Sequence, residues 1–268
     1  MTTEPKTKAL TNVPGLFDLS GRSALVTGAT GALGSAAARA LAGAGAHVTM
    51  AGGNAAKLEN LADELRQAGA SVTAIAERPS DEAAVDRIVA AARPDLDIVV
   101  AASGTSAVRP ILDMDVDTWD GVMDANVRQH WLLCRSAGRV MVPGGRGGSI
   151  VLISSVRSRF ATAAGTSAYG PSKAAIDMLT RSLATEWGPS GIRVNAIAPT
   201  VFRSELTGWL FEDNERAMTA RADVLARIPL GRLAEPDDFA GVLVFLASNA
   251  SALVTGQIIN VDGGFSCN

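Results

Sequence analysis

Tyr169 is the only tyrosine in the chain, and Lys173 follows it by one helical turn. Residues at that spacing project from one helix face, which makes the phenol and the ammonium neighbours. Pro171 lies between them. Proline lacks an amide hydrogen and fits only the first turn, so the pair belongs at a helix start. A phenol ionises at about pH 10, too high for a base near neutrality. A nearby ammonium favours the phenolate and brings proton transfer into range. The pair therefore suits proton exchange with a substrate oxygen. The alternative is a surface contact with the lysine stem across the ring. Against it, an apolar run ending in Ser154 and Ser155 precedes the pair, and Lys173 is the only lysine after Lys57.

The second chemical signal is Thr27-Gly28-Ala29-Thr30-Gly31-Ala32-Leu33-Gly34. It follows an apolar run and precedes a helical stretch. In that context glycines allow a sharp turn and close approach of a pyrophosphate to the positive end of the helix. A tight turn without a ligand is the plainer alternative. A dinucleotide site normally carries an acidic residue some 20 positions later, to hold the adenosine ribose 2′-hydroxyl. Here Met50 to Lys57 contains no carboxylate, which argues against strict NAD use, and no arginine, so NADP is favoured only slightly. Asn54, Lys57 and Arg22 are candidate 2′-phosphate partners, and each is equally a cap or a surface charge.

These residues need a scaffold, and the pattern supplies one. Mostly continuous apolar runs predict strands at 24–27, 47–51, 72–76, 97–101, 149–153, 193–197 and 258–261, as expected for a parallel sheet buried on both faces. Helices alternate with them. Asn54 caps one whose Leu58, Leu61 and Leu65 share a face. Ser80 caps the next, a long helix spans 116–141, another spans 167–187, and the last runs from Pro236 to Ser248. Alternation of this kind predicts an α/β Rossmann-type fold, a doubly wound seven-stranded sheet in a single domain. Residues 1–17 read as a polar tail and 18–268 as the domain. The long connection 200–232, with Trp209, Leu210, Phe211 and Met218, reads as a substrate lid or as a helical insertion.

Composition narrows the classes. The 268 residues are 47% hydrophobic with only 4% aromatics, enough for a large aliphatic core. A net charge of −3 with scattered basic residues offers no nucleic-acid stripe and no membrane anchor. Cys134 and Cys267 make neither a metal-ligand spacing nor a disulfide framework. The first seventeen residues lack the apolar core of a signal peptide. The expectation is a cytoplasmic protein without a metal, and His130 and Cys134 read as packing residues.

Taken together, Thr27–Gly34, Asn126-Val127, Ile153-Ser154-Ser155, Tyr169-Gly170-Pro171-Ser172-Lys173, Ile192–Pro199 and Gly256–Gly264 resemble the short-chain dehydrogenase/reductase family. The likeness covers nearly the whole chain. Its length and carboxyl-terminal motifs fit the shorter branch, near members acting on sugar acids and 3-oxoacyl groups. The resemblance implies NADP- or NAD-dependent interconversion of a secondary alcohol and a ketone, with Tyr169 as acid/base. It implies that Ser155 binds the substrate oxygen, with Ser154 as rival, that Lys173 binds the nicotinamide ribose and tunes Tyr169, and that Asn126 holds a relay water. It places Gly28, Thr30, Gly31, Leu33 and Gly34 around the pyrophosphate, with Asn54 and Gly104 along the cofactor. Pro199, Thr200, Val201 and Ser204 flank the nicotinamide. A homotetramer paired through the two long helices is also implied.

The chain departs from the family pattern at the adenosine side. Its glycines are spaced T-G-x-x-G-x-x-G, with Ala32 where glycine is usual. Ala101-Ala102-Ser103-Gly104 replaces Asn-Asn-Ala-Gly, Thr200 replaces a glycine, and Glu77 or Arg78 replaces an adenine-contacting aspartate. These changes predict weak or unusual cofactor preference. They also support the rival reading of a non-catalytic binding or regulatory protein, against which Ser155, Tyr169 and Lys173 stand. An epimerase or dehydratase rests on the glycine spacing alone. For the substrate, Arg157 and Arg159 suggest an acid, whereas Trp131, Trp209 and Phe211 suggest an apolar ketone or alcohol; the residues leave this open.

Overall fold

The computed structural model describes residues 11–92, 95–163, 165–205 and 207–267. Seven strands, β1 (Ser23–Thr27), β2 (His47–Ala51), β3 (Val72–Ile75), β4 (Leu96–Ala101), β5 (Gly148–Ile153), β6 (Ile192–Pro199) and β7 (Ile258–Val261), form one sheet in the order β3-β2-β1-β4-β5-β6-β7. Every pairing is parallel. All residues of β1 and β4 are buried, as continuous apolar runs between two helical layers require.

The helices are α1 (Val13–Leu16), α2 (Ala32–Gly43), α3 (Ala55–Gln67), α4 (Glu82–Ala91), α5 (Val116–Met123), α6 (Gln129–Gly144), α7 (Tyr169–Trp187), α8 (Glu215–Leu225) and α9 (Ala240–Ala247). On one face Leu41, Leu58, Leu61 and Leu246 from α2, α3 and α9 pack on Val26, Val48 and Met50. On the other, Val85, Ile88, Leu133 and Ile176 from α4, α6 and α7 pack on Leu25, Val99 and Ile150. A smaller cluster of Val156, Ile228, Leu233 and Phe265 joins the segments beyond the carboxyl ends of β5, β6 and β7. At the opposite, amino end of the sheet, buried Asp97 accepts bonds from Ser23 N (2.9 Å), Arg22 (3.2 Å) and Arg146 (2.8 Å).

The order reverses between β1 and β4, which opens a crevice at their carboxyl ends. Gly28, at φ +70°, closes that point: a methyl there would lie 2.5 Å from Ser103 N and 2.7 Å from Ala102 C. The turns after β1 and β4 therefore touch only because residue 28 has no side chain.

Four expectations need correction. The cap of α4 is Asp81, whose carboxylate accepts from Ala84 N (2.9 Å), while Ser80 bonds to Asp81. The helix expected over 116–141 runs from Val116 to Gly144 and is interrupted by a π turn at Asp124–Arg128. The connection 200–232 is not irregular: it contains a 3-10 turn at Gly208–Phe211 and the helix α8, which packs Val224 and Leu225 inward. The supposed tail contains α1, capped by Asn12 through Gly15 N (3.3 Å); residues 1–10 lie outside the described residues.

Candidate active site

The end of β5, the start of α7 and the π turn converge beyond the carboxyl edge of the sheet. Successive residues leaving a strand point to opposite sides, and this separates the two serines. Ser154 is buried under α7, where its hydroxyl donates to the Asp177 carboxylate. Ser155 faces the other way: its hydroxyl lies by the Tyr169 phenol, favouring the phenolate, and accepts from Arg157 N (3.1 Å). Ser155, not Ser154, therefore meets the phenol.

Burial raises the Tyr169 phenol above its ordinary value, while the Ser155 hydrogen bond and the Arg157 charge pull it back. Lys173 lies against the Tyr169 ring. Its Nζ donates to Ile153 O (2.8 Å) and lies 5.7 Å from the centre of the Tyr169 ring. Burial lowers Lys173 itself to about 8, opposed by Asp177. The Arg157 charge also favours the phenolate. Half-buried, Arg157 donates to Phe160 O and Ala161 O (both 3.3 Å). Its guanidinium lies 5.5 Å from the Phe265 ring centre, and that of Arg227 lies 4.1 Å from the same centre. Neither arginine has a carboxylate partner among the described residues.

Asn126 is fully buried in the π turn, where widened turns often mark functional positions. Its Oδ1 accepts from Thr105 N (2.8 Å), and its Nδ2 donates to Thr105 O and Ser172 Oγ (both 2.9 Å). Ser172 in turn donates to Tyr169 O (2.7 Å). The Asn126 side chain thus ties the loop after β4 to the first turn of α7, with both of its amide hydrogens engaged within the protein. Gly104 fits closely beside it: a methyl there would lie 3.0 Å from Asn126 Oδ1 and 3.7 Å from Lys173 Nζ. His130 Nε2 donates to Ala101 O (3.2 Å), and burial plus the Lys173 charge push its pKa down to about 3, so it stays neutral near pH 7. Burial moves Cys134 the other way, up to about 12, which leaves an inert thiol.

The crevice itself fits a dinucleotide. Gly31 precedes α2 without a side-chain cap, and Ala32 opens a helix with no acidic residue in its first turn, so the amides there are left for an anion. A methyl on Gly34 would lie 2.1 Å from Gly28 O, so this glycine lets the helix close on the turn. Leu33 packs partly into the core, and Thr30 lies against Gly52. At the other end of the crevice β6 stops at Pro199, and the Thr200 hydroxyl beyond it is buried without a partner among the described residues. Such an orphaned polar atom suits a ligand amide. Val201 packs beside Val156, and Ser204 bonds Thr207 (3.0 Å).

Other candidate positions are engaged elsewhere. Asn54 caps α3 through Lys57 N (3.0 Å), Lys57 is paired with Glu205, and Arg22 is at the far end of the sheet on Asp97. Trp209 is exposed, with Arg216 at 5.1 Å from its ring centre. Arg227, which meets Arg157 over Phe265, is the residue that spacing could not reveal, since it arrives from beyond α8.

A doubly wound sheet whose switch-point crevice leads to a tyrosine paired with serine and lysine defines a nicotinamide-dependent oxidoreductase. The comparisons agree. A family model described as enoyl-(acyl carrier protein) reductase matches residues 28–266. An uncharacterized oxidoreductase of Mycobacterium tuberculosis is 52% identical over 253 residues, 93% of each chain. Gluconate 5-dehydrogenase of Gluconobacter oxydans is 36% identical, over 94% of this chain and 98% of its own. The crystal structure of a gluconate 5-dehydrogenase from Burkholderia cenocepacia, in complex with NADP and tartrate, superposes with a TM-score of 0.88 at 31% identity, covering 96% of this chain and all of that one. The chain belongs to the short-chain dehydrogenase/reductase family and is an NAD(P)-dependent oxidoreductase acting on alcohols or ketones. These findings do not favour the non-catalytic alternative.

Proposed function

We propose that Tyr169 exchanges the proton with the substrate oxygen, that Ser155 orients that oxygen, and that the substrate carries a carboxylate. The observation that carries the first two roles is that Ser155 lies by the Tyr169 phenol while Ser154 is turned away onto Asp177. Bound in the crevice, NAD(P) supplies or accepts the hydride. Tyr169 O–H donates its proton as a ketone becomes an alkoxide, and the phenolate takes one from the alcohol in reverse. The Ser155 hydroxyl hydrogen-bonds the same oxygen and favours its charged form. Lys173 keeps one of its three hydrogens on Ile153 O, which fixes the ammonium and leaves two for the nicotinamide ribose. Thr200 fits the carboxamide end, and the first turn of α2 fits the pyrophosphate.

The carboxylate follows from Arg157 and Arg227. Their two guanidiniums share the Phe265 ring with no acidic partner among the described residues, and burial together with the Arg227 charge disfavours the charged form of Arg157 until an anion arrives. The names of the gluconate 5-dehydrogenases place sugar acids among the substrates of relatives. Phe211, with Val224 and Leu225 of α8, packs on the Val156–Phe265 cluster, which supports reading this segment as a lid. Val142 and exposed Trp131 of α6 line, with Leu183 and Trp187 of α7, a groove of about 440 Å³ that supports pairing between copies and the homotetramer. Among the described residues no helix is long and apolar enough to cross a membrane, which fits a cytoplasmic enzyme.

The test is turnover of hydroxy and keto acids, against their esters and simple alcohols and ketones, with both nicotinamide cofactors in both redox states. The wild type is expected to turn over the acids. Tyr169→Phe loses about 10²–10⁴-fold in kcat, the usual share of a general acid/base. Unchanged activity in that variant would refute the assignment, and equal use of acids and esters would refute the carboxylate.

A further inference from the structure

At the carboxyl end of β2 the chain places two glycines where the adenosine ribose of a dinucleotide lies in such folds. Both are tightly covered. A methyl on Gly52 would come within 2.8 Å of Thr30 Cγ2. A methyl on Gly53 would come within 2.1 Å of Arg78 Nε, 2.7 Å of its Cγ and 2.8 Å of its Cδ. The Arg78 side chain, arriving from the turn after β3, therefore occupies the volume that a side chain at position 53 would fill. Gly53 does not have a left-handed backbone, so what excludes a side chain there is the arginine.

Arg78 is also a spare cation. Among the described residues it forms no ion pair and no side-chain hydrogen bond, although carboxylates are close in sequence. Glu77 is bonded to Arg87, Asp81 caps α4, and Glu205 is paired with Lys57. The other groups at this edge are engaged too, since Asn54 caps α3 and Arg22 is held by Asp97 at the far end of the sheet. The edge thus presents one uncompensated guanidinium and no free carboxylate. A carboxylate here would accept a bond from a ribose 2′-hydroxyl; a guanidinium matches a 2′-phosphate with two parallel donors.

We infer that Arg78 binds the 2′-phosphate of NADP, and that the chain prefers NADP over NAD through a cation supplied by the β3 turn instead of by β2. This rests on reading the crevice as the dinucleotide site. Gly53 and Arg78 act as a pair: the glycine opens the space, and the arginine fills it with charge.

Binding measured by calorimetry tests this without turnover. The probes are NADPH, NADH, 2′-phosphoadenosine diphosphoribose and adenosine diphosphoribose, on the wild type, Arg78→Ala, Arg78→Lys and Gly53→Asp. The wild type is expected to hold each phosphorylated probe at least about tenfold tighter than its counterpart, the worth of a charge-assisted contact. Arg78→Ala should lose that margin while keeping NADH affinity within about twofold, and Arg78→Lys should restore part of it. Gly53→Asp should displace the arginine and turn the preference toward NADH. Equal affinity of the wild type for both forms, or equal weakening of both by Arg78→Ala, overturns the inference and leaves the dinucleotide site standing. Failure of every probe to bind overturns the proposed function itself.

Discussion

On the β4–β6 side of the crevice, Asn126, Ser154, Ser172 and Lys173 are buried, and each polar group meets a partner within the protein. On the β2–β3 side, Gly52 and Gly53 carry no side chain at all, and the one charged group over them, Arg78, is exposed and unpaired. The first region is fixed before any ligand arrives, as proton transfer demands, since a misplaced donor loses rate steeply. The second is completed by its ligand. Chemistry is thus held by interlocked hydrogen bonds, and cofactor choice by a few substitutable surface positions.

The contrast is most sharply tested at the serine pair. Ser155→Ala should lower kcat by about 10²-fold or more with nucleotide affinity unchanged. Ser154→Ala should instead leave Asp177 without its donor, costing about 1–3 kcal/mol of stability while chemistry is largely kept. Steady-state kinetics and urea titration of the two variants read this, and reversed outcomes would exchange their roles. Next in size is Lys173. Its pKa falls from 10.5 unfolded to about 8 folded. Between those values the unfolded state binds more protons, so stability rises as pH climbs from about 8 to 10.5, by roughly 3 kcal/mol. Below pH 8 both states are charged and the burial penalty is constant. Urea midpoints of Lys173→Met across this window should lack the rise; a parallel rise in the variant assigns it to other groups. The smallest effect is at Asn54. If it serves only as a cap, Asn54→Ala costs about 1 kcal/mol in thermal stability and leaves NADPH and NADH binding alike unaffected. A selective loss of NADPH would show that the adenosine side has a second reader.

Much of the reacting end was legible in the sequence because local spacing determines it. Tyr169 and Lys173 share a turn, Pro171 marks the helix start, and apolar runs identify β1, β4 and β5. The charge balance was not legible, since Arg157 and Arg227 meet over Phe265 only through the third packing cluster, and Lys173 turns its ammonium to Ile153 O. Spacing puts Lys173 by the phenol; packing brings Arg157 to it as well. The adenosine end misled for a related reason. Reading along β2 finds no cation, because the one that covers Gly53 crosses from the neighbouring strand. The Ser80 cap missed by one residue because serine and aspartate compete for the same role and only the carboxylate reached Ala84 N. The break in the long helix leaves no mark in composition.

That break has a consequence for how the chain can vary. Each residue advances a helix by about 100°, and a π turn holds one residue more than an α turn. The stretch Asp124–Arg128 therefore works as a phase shift. Upstream, α5 and the turn itself aim Asn126 at the cleft; downstream, Leu133 and Ala137 face the sheet while Trp131 faces outward. Deleting a single residue there would straighten the helix and throw one of those settings out of alignment by more than a quarter rotation. Because the two halves are out of phase, substitutions on the outer face of α6 can accumulate without disturbing the residue that aligns Tyr169.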